Sequence, residues 1–182
     1  MPPKFIKTIQ DELFYEYAKL ISRSAFNGEI NYGFVIDRVK AFRAGNISIS
    51  GTIREWQREQ ELPKVCVFCG VAENLSTDHL VPQIRGGSDS PDNLVQSCGT
   101  CNSSRRDKGV FQWLGLKKKD NLHRLVAGKY LKELFDLHER KGTLSISVET
   151  LQTLCASCKN PETCAKWDKV GELTCFCLES VF

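Results

Sequence analysis

The chain has no run approaching the roughly 18 consecutive apolar residues that a membrane-spanning helix needs, which argues against a spanning segment. The opening stretch, MPPKFIKTIQDELF, carries acidic residues where a secretory leader would have its apolar core, so the expectation is a soluble, unexported, cytoplasmic protein with no membrane partner. There is no internal repeat and no low-complexity tract, which excludes solenoids and compositionally biased linkers. Charge of one sign is nearly absent as an excess: the net charge is only +3, which allows a polyanionic partner without demanding one. At 182 residues the chain is too short for a large multidomain architecture, yet long enough to bury roughly 70% of its unfolded surface.

What the sequence does have is cysteine. Nine thiols, an odd number in a chain read as unexported, fit neither a paired disulfide framework nor chance use as small core residues, and point to metal ligation. Cys66, Cys69, Cys98 and Cys101 form one group, and Cys155, Cys158, Cys164, Cys175 and Cys177 form another more than fifty residues later. Four and five suggest two four-ligand sites with one thiol over.

Apolar residues recur at helical spacing before Pro63: Leu13, Phe14, Tyr17, Leu20 and Ile21, then Tyr32, Val35, Ile36, Val39 and Phe42. A third, shorter helix is expected from Ser50 or Gly51 and cannot pass Pro63. From Val65 to Val110 the period is lost and short apolar pieces alternate with turn residues, the pattern of a small metal-tied hairpin. A long helix is expected after Asp120, burying Leu122, Leu125, Val126, Tyr130, Leu131, Leu134 and Phe135 and ending at Gly142. A short helix after Ser147 leads into the cysteine-rich tail. The resulting class is α+β, divided into a helical region 1–62, a zinc-tied core 63–112, a helical region 113–145 and a metal-binding tail 146–182. His123 and His138 fall in the long helix without a cysteine or carboxylate frame, and are expected on its solvated face.

Cys66 and Cys69, 28 intervening residues, then Cys98 and Cys101 make two knuckles that each offer two thiolates to one tetrahedral zinc. The segment between them is too short and polar for a core of its own, so metal supplies its folding free energy. Four thiolates close the coordination sphere, and any chemistry must come from neighbouring residues. Between and beside the knuckles stand Asp78-His79, Pro82, Gly86-Gly87, Asn93-Leu94 and Cys101-Asn102.

In that order these residues resemble the HNH endonuclease family, whose pattern is a cysteine pair, Asp-His before a proline, a Gly-Gly turn, Asn-Leu, and a second cysteine pair followed by His or Asn. Asn102 in the last place makes the chain similar to the H-N-N variants, endonuclease VII-like and restriction-type members among them. The resemblance covers about a quarter of the chain. It implies the ββα-metal fold, with Asp78 and His79 on the first strand, Asn93 near the start of the second and Asn102 early in the helix. It implies Asp78 and Asn102 as ligands of Mg²⁺ or Mn²⁺, His79 as general base, and Asn93 as a brace that orients His79. The implied activity is metal-dependent hydrolysis of phosphodiester bonds in DNA, of restriction, phage or mobile-element type. The alternative is a zinc-containing nucleic-acid binding module without catalysis, and RNA is a weaker third reading.

Between Ser103 and Lys119 six basic residues, Arg105, Arg106, Lys108, Lys117, Lys118 and Lys119, face Asp107 alone, which suits phosphate contacts along duplex DNA. Arg85 in the turn before Gly86 is a further candidate contact. Cutting both strands would call for two centres, hence a homodimer through the N-terminal helices. The uneven second cysteine group takes either zinc or an iron–sulfur cluster, since both use four thiolates. Zinc is preferred on abundance and family habit, although the spacing and the neighbouring Trp167 and Phe176 suit a shielded cluster. Cys155, Cys158 and Cys164 are three ligands, and Cys175 and Cys177 compete for the fourth place.

Overall fold

A computed structural model describes residues 3–49, 63–158 and 161–180. Among them are seven α-helices and one two-stranded antiparallel sheet, an α+β chain. They fall into two compact units, residues 1–50 with 134–182, and residues 51–133. None of the helices is long and apolar enough to cross a membrane. The third N-terminal helix expected before Pro63 lies outside the described residues.

In the first unit, α1 (Ile9–Ala25) begins with a reciprocal cap. The Asp11 amide donates to Thr8 Oγ1 at 3.1 Å and the Thr8 amide to Asp11 Oδ2 at 3.2 Å, satisfying two of the helix's orphan donors. Asn31 caps α2 (Tyr32–Arg43) by its side chain alone, accepting from the Phe34 amide. Of the apolar stripe expected on α2, Val35, Val39 and Phe42 are buried, whereas Tyr32 and Ile36 are exposed. A helix that packs through one narrow seam buries only the i, i+4, i+7 set. Phe14 on α1 stacks on Phe42 at 5.1 Å between centroids and on Phe135 at 6.1 Å.

The long helix α5 runs Arg124–Arg140, shorter at both ends than its apolar pattern, with Lys119–Asn121 taking a 3₁₀ turn before it. Residues through Glu133 count with the 51–133 unit and those from Leu134 with the other. His138 is fully buried, contrary to the solvated-face reading. Its Nε2 meets the Leu178 carbonyl at 3.0 Å and its Nδ1 the Thr143 hydroxyl at 2.8 Å, long-range partners that helical period alone does not reveal. Burial brings its pKa down to about 4. The chain then forms two short helices, α6 (Leu151–Ser157) and α7 (Pro161–Lys166), and a buried C-terminal turn around Cys177–Glu179.

In the second unit, β1 (Leu75–His79) pairs with β2 (Leu94–Cys98) in a register that sets Leu75 opposite Cys98, Asp78 opposite Val95 and His79 opposite Leu94. Helix α3 (Gly99–Arg105) starts where β2 ends, and the Cys98 sulfur accepts from the Cys101 amide at its N-terminus. Helix α4 (Val110–Lys118) follows, broken at Gly115, whose φ of 71° is a left-handed value that glycine takes without strain. Tyr130 on α5 fixes the start of α4 by accepting from the Val110 amide at 3.0 Å, and its ring meets Phe111 edge-on at 5.0 Å. Leu80, Val81, Val95, Val110, Val126 and Tyr130 are buried apolar residues of this unit.

Candidate active site and metal centre

The metal centre is built from two turns and a helix start. At the first knuckle the Cys66 amide donates to the Val71 carbonyl and the Gly70 amide to the Cys66 carbonyl. Gly70, at φ 80°, supplies the left-handed residue that closes this turn. The Val67 amide donates to the Gln96 carbonyl and so ties the knuckle to β2. The second knuckle is the end of β2 and the first turn of α3. The sulfurs of Cys66, Cys69, Cys98 and Cys101 all lie within 4.8 Å of one another, and Cys69 and Cys98 are 3.7 Å apart. Tetrahedral ligation with Zn–S near 2.3 Å requires sulfur separations of about 3.8 Å, close to the Cys69–Cys98 distance.

The electrostatics also call for a cation. Burial raises the Cys66 thiol, but hydrogen bonds from the backbone of Cys98, Phe68 and Cys69 outweigh it and bring the pKa down to about 7. Cys101 is driven the other way, by burial first and then by the thiols of Cys69, Cys98 and Cys66. Four thiolates so close do not ionise together without positive charge among them, so the group suits a structural metal such as zinc.

Beside this centre, Asn93 is fully buried directly before β2. Its Oδ1 accepts from the Val81 amide at 2.8 Å, and its Nδ2 donates to the Val81 and Ser88 carbonyls at 2.9 and 2.7 Å. One amide thus joins the segment after His79 to the far end of the 82–92 loop. Gly87 passes so close that a Cβ there would fall 1.9 Å from the Val81 carbonyl oxygen and 2.8 Å from Asn93 Nδ2. Gly86, at φ 92°, provides the left-handed turn into that approach.

Three residues of α5 hold the same loop and the start of β2, none of them visible in the sequence as site residues. Glu133 accepts from the Ser88 amide and hydroxyl at 2.7 and 3.0 Å, Lys132 pairs with Asp92 at 2.5 Å, and Lys129 donates to the Leu94 carbonyl at 2.6 Å. Their partners stand 35 to 45 positions away in sequence.

His79 ends β1 with its side chain 27% exposed, and its Nε2 lies 2.8 Å from Asp89 Oδ1. Gln83 Nε2 donates to the same carboxylate oxygen at 2.7 Å. Asp89 carried no signal in the sequence, being one acidic residue in a polar turn.

The preceding Asp78 is buried and faces Arg105 of α3. Arg105 Nη2 is 2.9 Å from both Asp78 carboxylate oxygens and 2.5 Å from the His79 carbonyl, and its Nη1 donates to the Leu80 carbonyl at 2.9 Å. Its guanidinium also lies over Phe68, which packs edge-on against Trp113. Arg105 is 1% exposed, so the structure removes it from the expected basic surface. A planar fork of donors satisfies a carboxylate and backbone carbonyls together, and that use outweighs exposure to solvent. Asn102 precedes Arg105 by one helical turn on α3 and is half-buried.

Lys119 is corrected in the same way: it is buried, with Nζ 3.1 Å from Asp120 and its charge over the Phe111 ring. Arg106, Lys108, Lys117 and Lys118 are exposed, and Arg85 is half-buried. In the tail, Cys155, Cys158, Cys164 and Cys177 line one cavity, while Cys175 is buried outside that lining.

Residues 66–109 match the HNH endonuclease family. The match spans both knuckles, β1, β2 and α3, which supports a nuclease and, with it, nucleic acid as the substrate class. No curated protein and no solved structure matches the chain.

Proposed function

We propose, with the HNH match of residues 66–109 as the premise, that the chain is a metal-dependent endonuclease hydrolysing phosphodiester bonds in duplex DNA. The observation that carries this reading is the imidazole of His79, partly exposed at the strand end and held by Asp89 at 2.8 Å. An ionised carboxylate only accepts, so Nε2 keeps its proton in this contact and neutral His79 has its lone pair on Nδ1. That lone pair is the base that takes a proton from an attacking water. Asn93 and Gly87 fix the backbone after His79, so the imidazole is held by a loop with little freedom to shift.

Asp78 and Asn102 are the residues that would hold a divalent cation, and a carboxylate with an amide oxygen suits Mg²⁺ or Mn²⁺. Such an ion, when bound, stabilises charge on the phosphate and the leaving oxygen. Arg105 uses part of the acceptor capacity of Asp78, and a carboxylate with about four lone-pair sites retains some for a metal. Arg106, Lys108, Lys117 and Lys118 supply exposed positive charge for backbone phosphates, which positions a duplex without reading its sequence. Two centres in a homodimer would be needed to cut both strands.

The Arg105 contact also favours a second reading, a zinc-containing nucleic-acid binding module without catalysis, because a carboxylate neutralised by a guanidinium is a weaker cation ligand. End-labelled duplex DNA incubated with the protein and Mg²⁺, Mn²⁺ or chelator separates the two. The nuclease reading expects cation-dependent fragments ending in a 3′ hydroxyl. Retained binding with no fragments under any cation supports the module. Competition with a matched RNA duplex at fixed salt assigns the substrate.

A further inference from the structure

We propose that the C-terminal tail binds an iron–sulfur cluster through Cys155, Cys158, Cys164 and Cys177. All four line one cavity in the 1–50/134–182 unit, together with the apolar Leu154 and Phe176. None of the nine cysteines is in a disulfide.

The convergence of donor atoms distinguishes the four-cysteine centre from this cavity. Among the described residues, the close convergence of donor atoms at Cys66, Cys69, Cys98 and Cys101 is not repeated in the tail. One tetrahedral ion needs every sulfur about 2.3 Å from a single point. A cluster binds its thiolates through different irons, so its four sulfurs stand apart by the width of the inorganic core. The tail's four thiols line a shared volume, as the thiolates around a cluster do.

The volume agrees. The cavity measures about 110 Å³. One water needs only about 10–15 Å³ on the same measure, so the space is far larger than one ion fills.

The two tail helices bury little of their own surface. Helix α6 has seven residues and buries only Leu151 and Leu154, and α7 has six and buries none. Helices this short are not stable alone. Cys155 and Cys158 come from α6 and its end, Cys164 from α7, and Cys177 from the C-terminal turn. A centre bridging these four positions joins every piece of the tail, as structural metals do in small domains. The same geometry chooses the fourth ligand, because Cys177 lines the cavity and Cys175 does not. Phe176, 1% exposed, is part of the same lining.

The test is metal and sulfide analysis of the full chain purified under nitrogen, with visible absorption before and after dithionite, and after reconstitution with ferrous iron and sulfide. The expected result is iron and acid-labile sulfide in equal amounts, about one zinc per chain, and a broad visible band that dithionite bleaches. Cys164→Ala and Cys177→Ala should lose the iron and keep the zinc, which reports that the 51–133 unit is still folded, while Cys175→Ala keeps both. Two zincs and no iron, or no iron after reconstitution of the zinc-loaded wild-type chain, overturn the cluster. Loss of iron from Cys175→Ala with retention in Cys177→Ala overturns the ligand set.

Discussion

Arg105 on α3 and Asp78 on β1 form a buried ion pair, with one guanidinium nitrogen 2.9 Å from each carboxylate oxygen. This contact locks helix to hairpin at the residue that the family resemblance makes a cation ligand. Removing one partner of a buried pair leaves the other charge desolvated and uncompensated. Arg105→Ala should therefore destabilise the 51–133 unit by about 3–5 kcal/mol, read by urea unfolding. Arg106→Ala, whose side chain is exposed, should leave the urea midpoint unchanged. An equal, small loss in both variants would show that the buried pair is not structural.

The exposed basic residues make a separate prediction. If Arg106, Lys108, Lys117 and Lys118 meet phosphates, each alanine variant should weaken DNA binding about equally on unrelated sequences. Each should also reduce the slope of log K against log salt by about 0.9. Salt-dependent anisotropy titrations measure this. An unchanged slope for any one of them removes it from the interface.

Asp89 is expected to matter through His79. Asp89→Ala removes the acceptor that fixes the imidazole tautomer, and cleavage should fall by roughly tenfold to a hundredfold, the usual cost of losing such an orienting partner. Asp89→Asn, which keeps a carbonyl acceptor, should recover part of that loss. Single-turnover cleavage by the two variants checks both statements, and equal rates for Ala and wild type would remove Asp89 from the account.

Much of this site was legible in the sequence, for physical reasons that also mark where legibility stops. A zinc knuckle is a local object: two cysteines three positions apart and a glycine at the turn appear as a string, and so do Asp78-His79 and Asn93. Arg105 was read as surface charge because a lone arginine in a basic run gives no sign of a carboxylate 27 positions away. Glu133 and Lys132 hold the 82–92 loop, and Lys129 the start of β2, from 35 to 45 positions off, and no local pattern encodes that distance. His138 reads as a solvated residue for the same reason, its Leu178 partner lying 40 positions on. The helix periods of α1 and the two halves of α5 were visible because burying a helical stripe repeats locally, though the width of the α2 seam was not.

His138 gives a pH prediction for the 1–50/134–182 unit. Its folded pKa, about 4, lies below the unfolded value near 6.5, so the unfolded chain binds the proton more readily between them. The stabilisation is fully present above about pH 6.5 and is lost as pH falls toward 4, with roughly 3 kcal/mol at stake. His138→Gln should be less stable at pH 7 and flatter between pH 6.5 and 4 than wild type. Parallel melting curves for the two proteins would count against the buried neutral imidazole.

The central claim is that His79 is the base of a metal-dependent nuclease, and cleavage of supercoiled plasmid tests it most directly. Zinc-loaded wild type and His79→Ala are compared with Mg²⁺, with Mn²⁺ and with chelator. The account predicts nicked or linear product from wild type in either cation, none with chelator, and a loss of at least about a hundredfold in His79→Ala. Undiminished cutting by folded His79→Ala would contradict it.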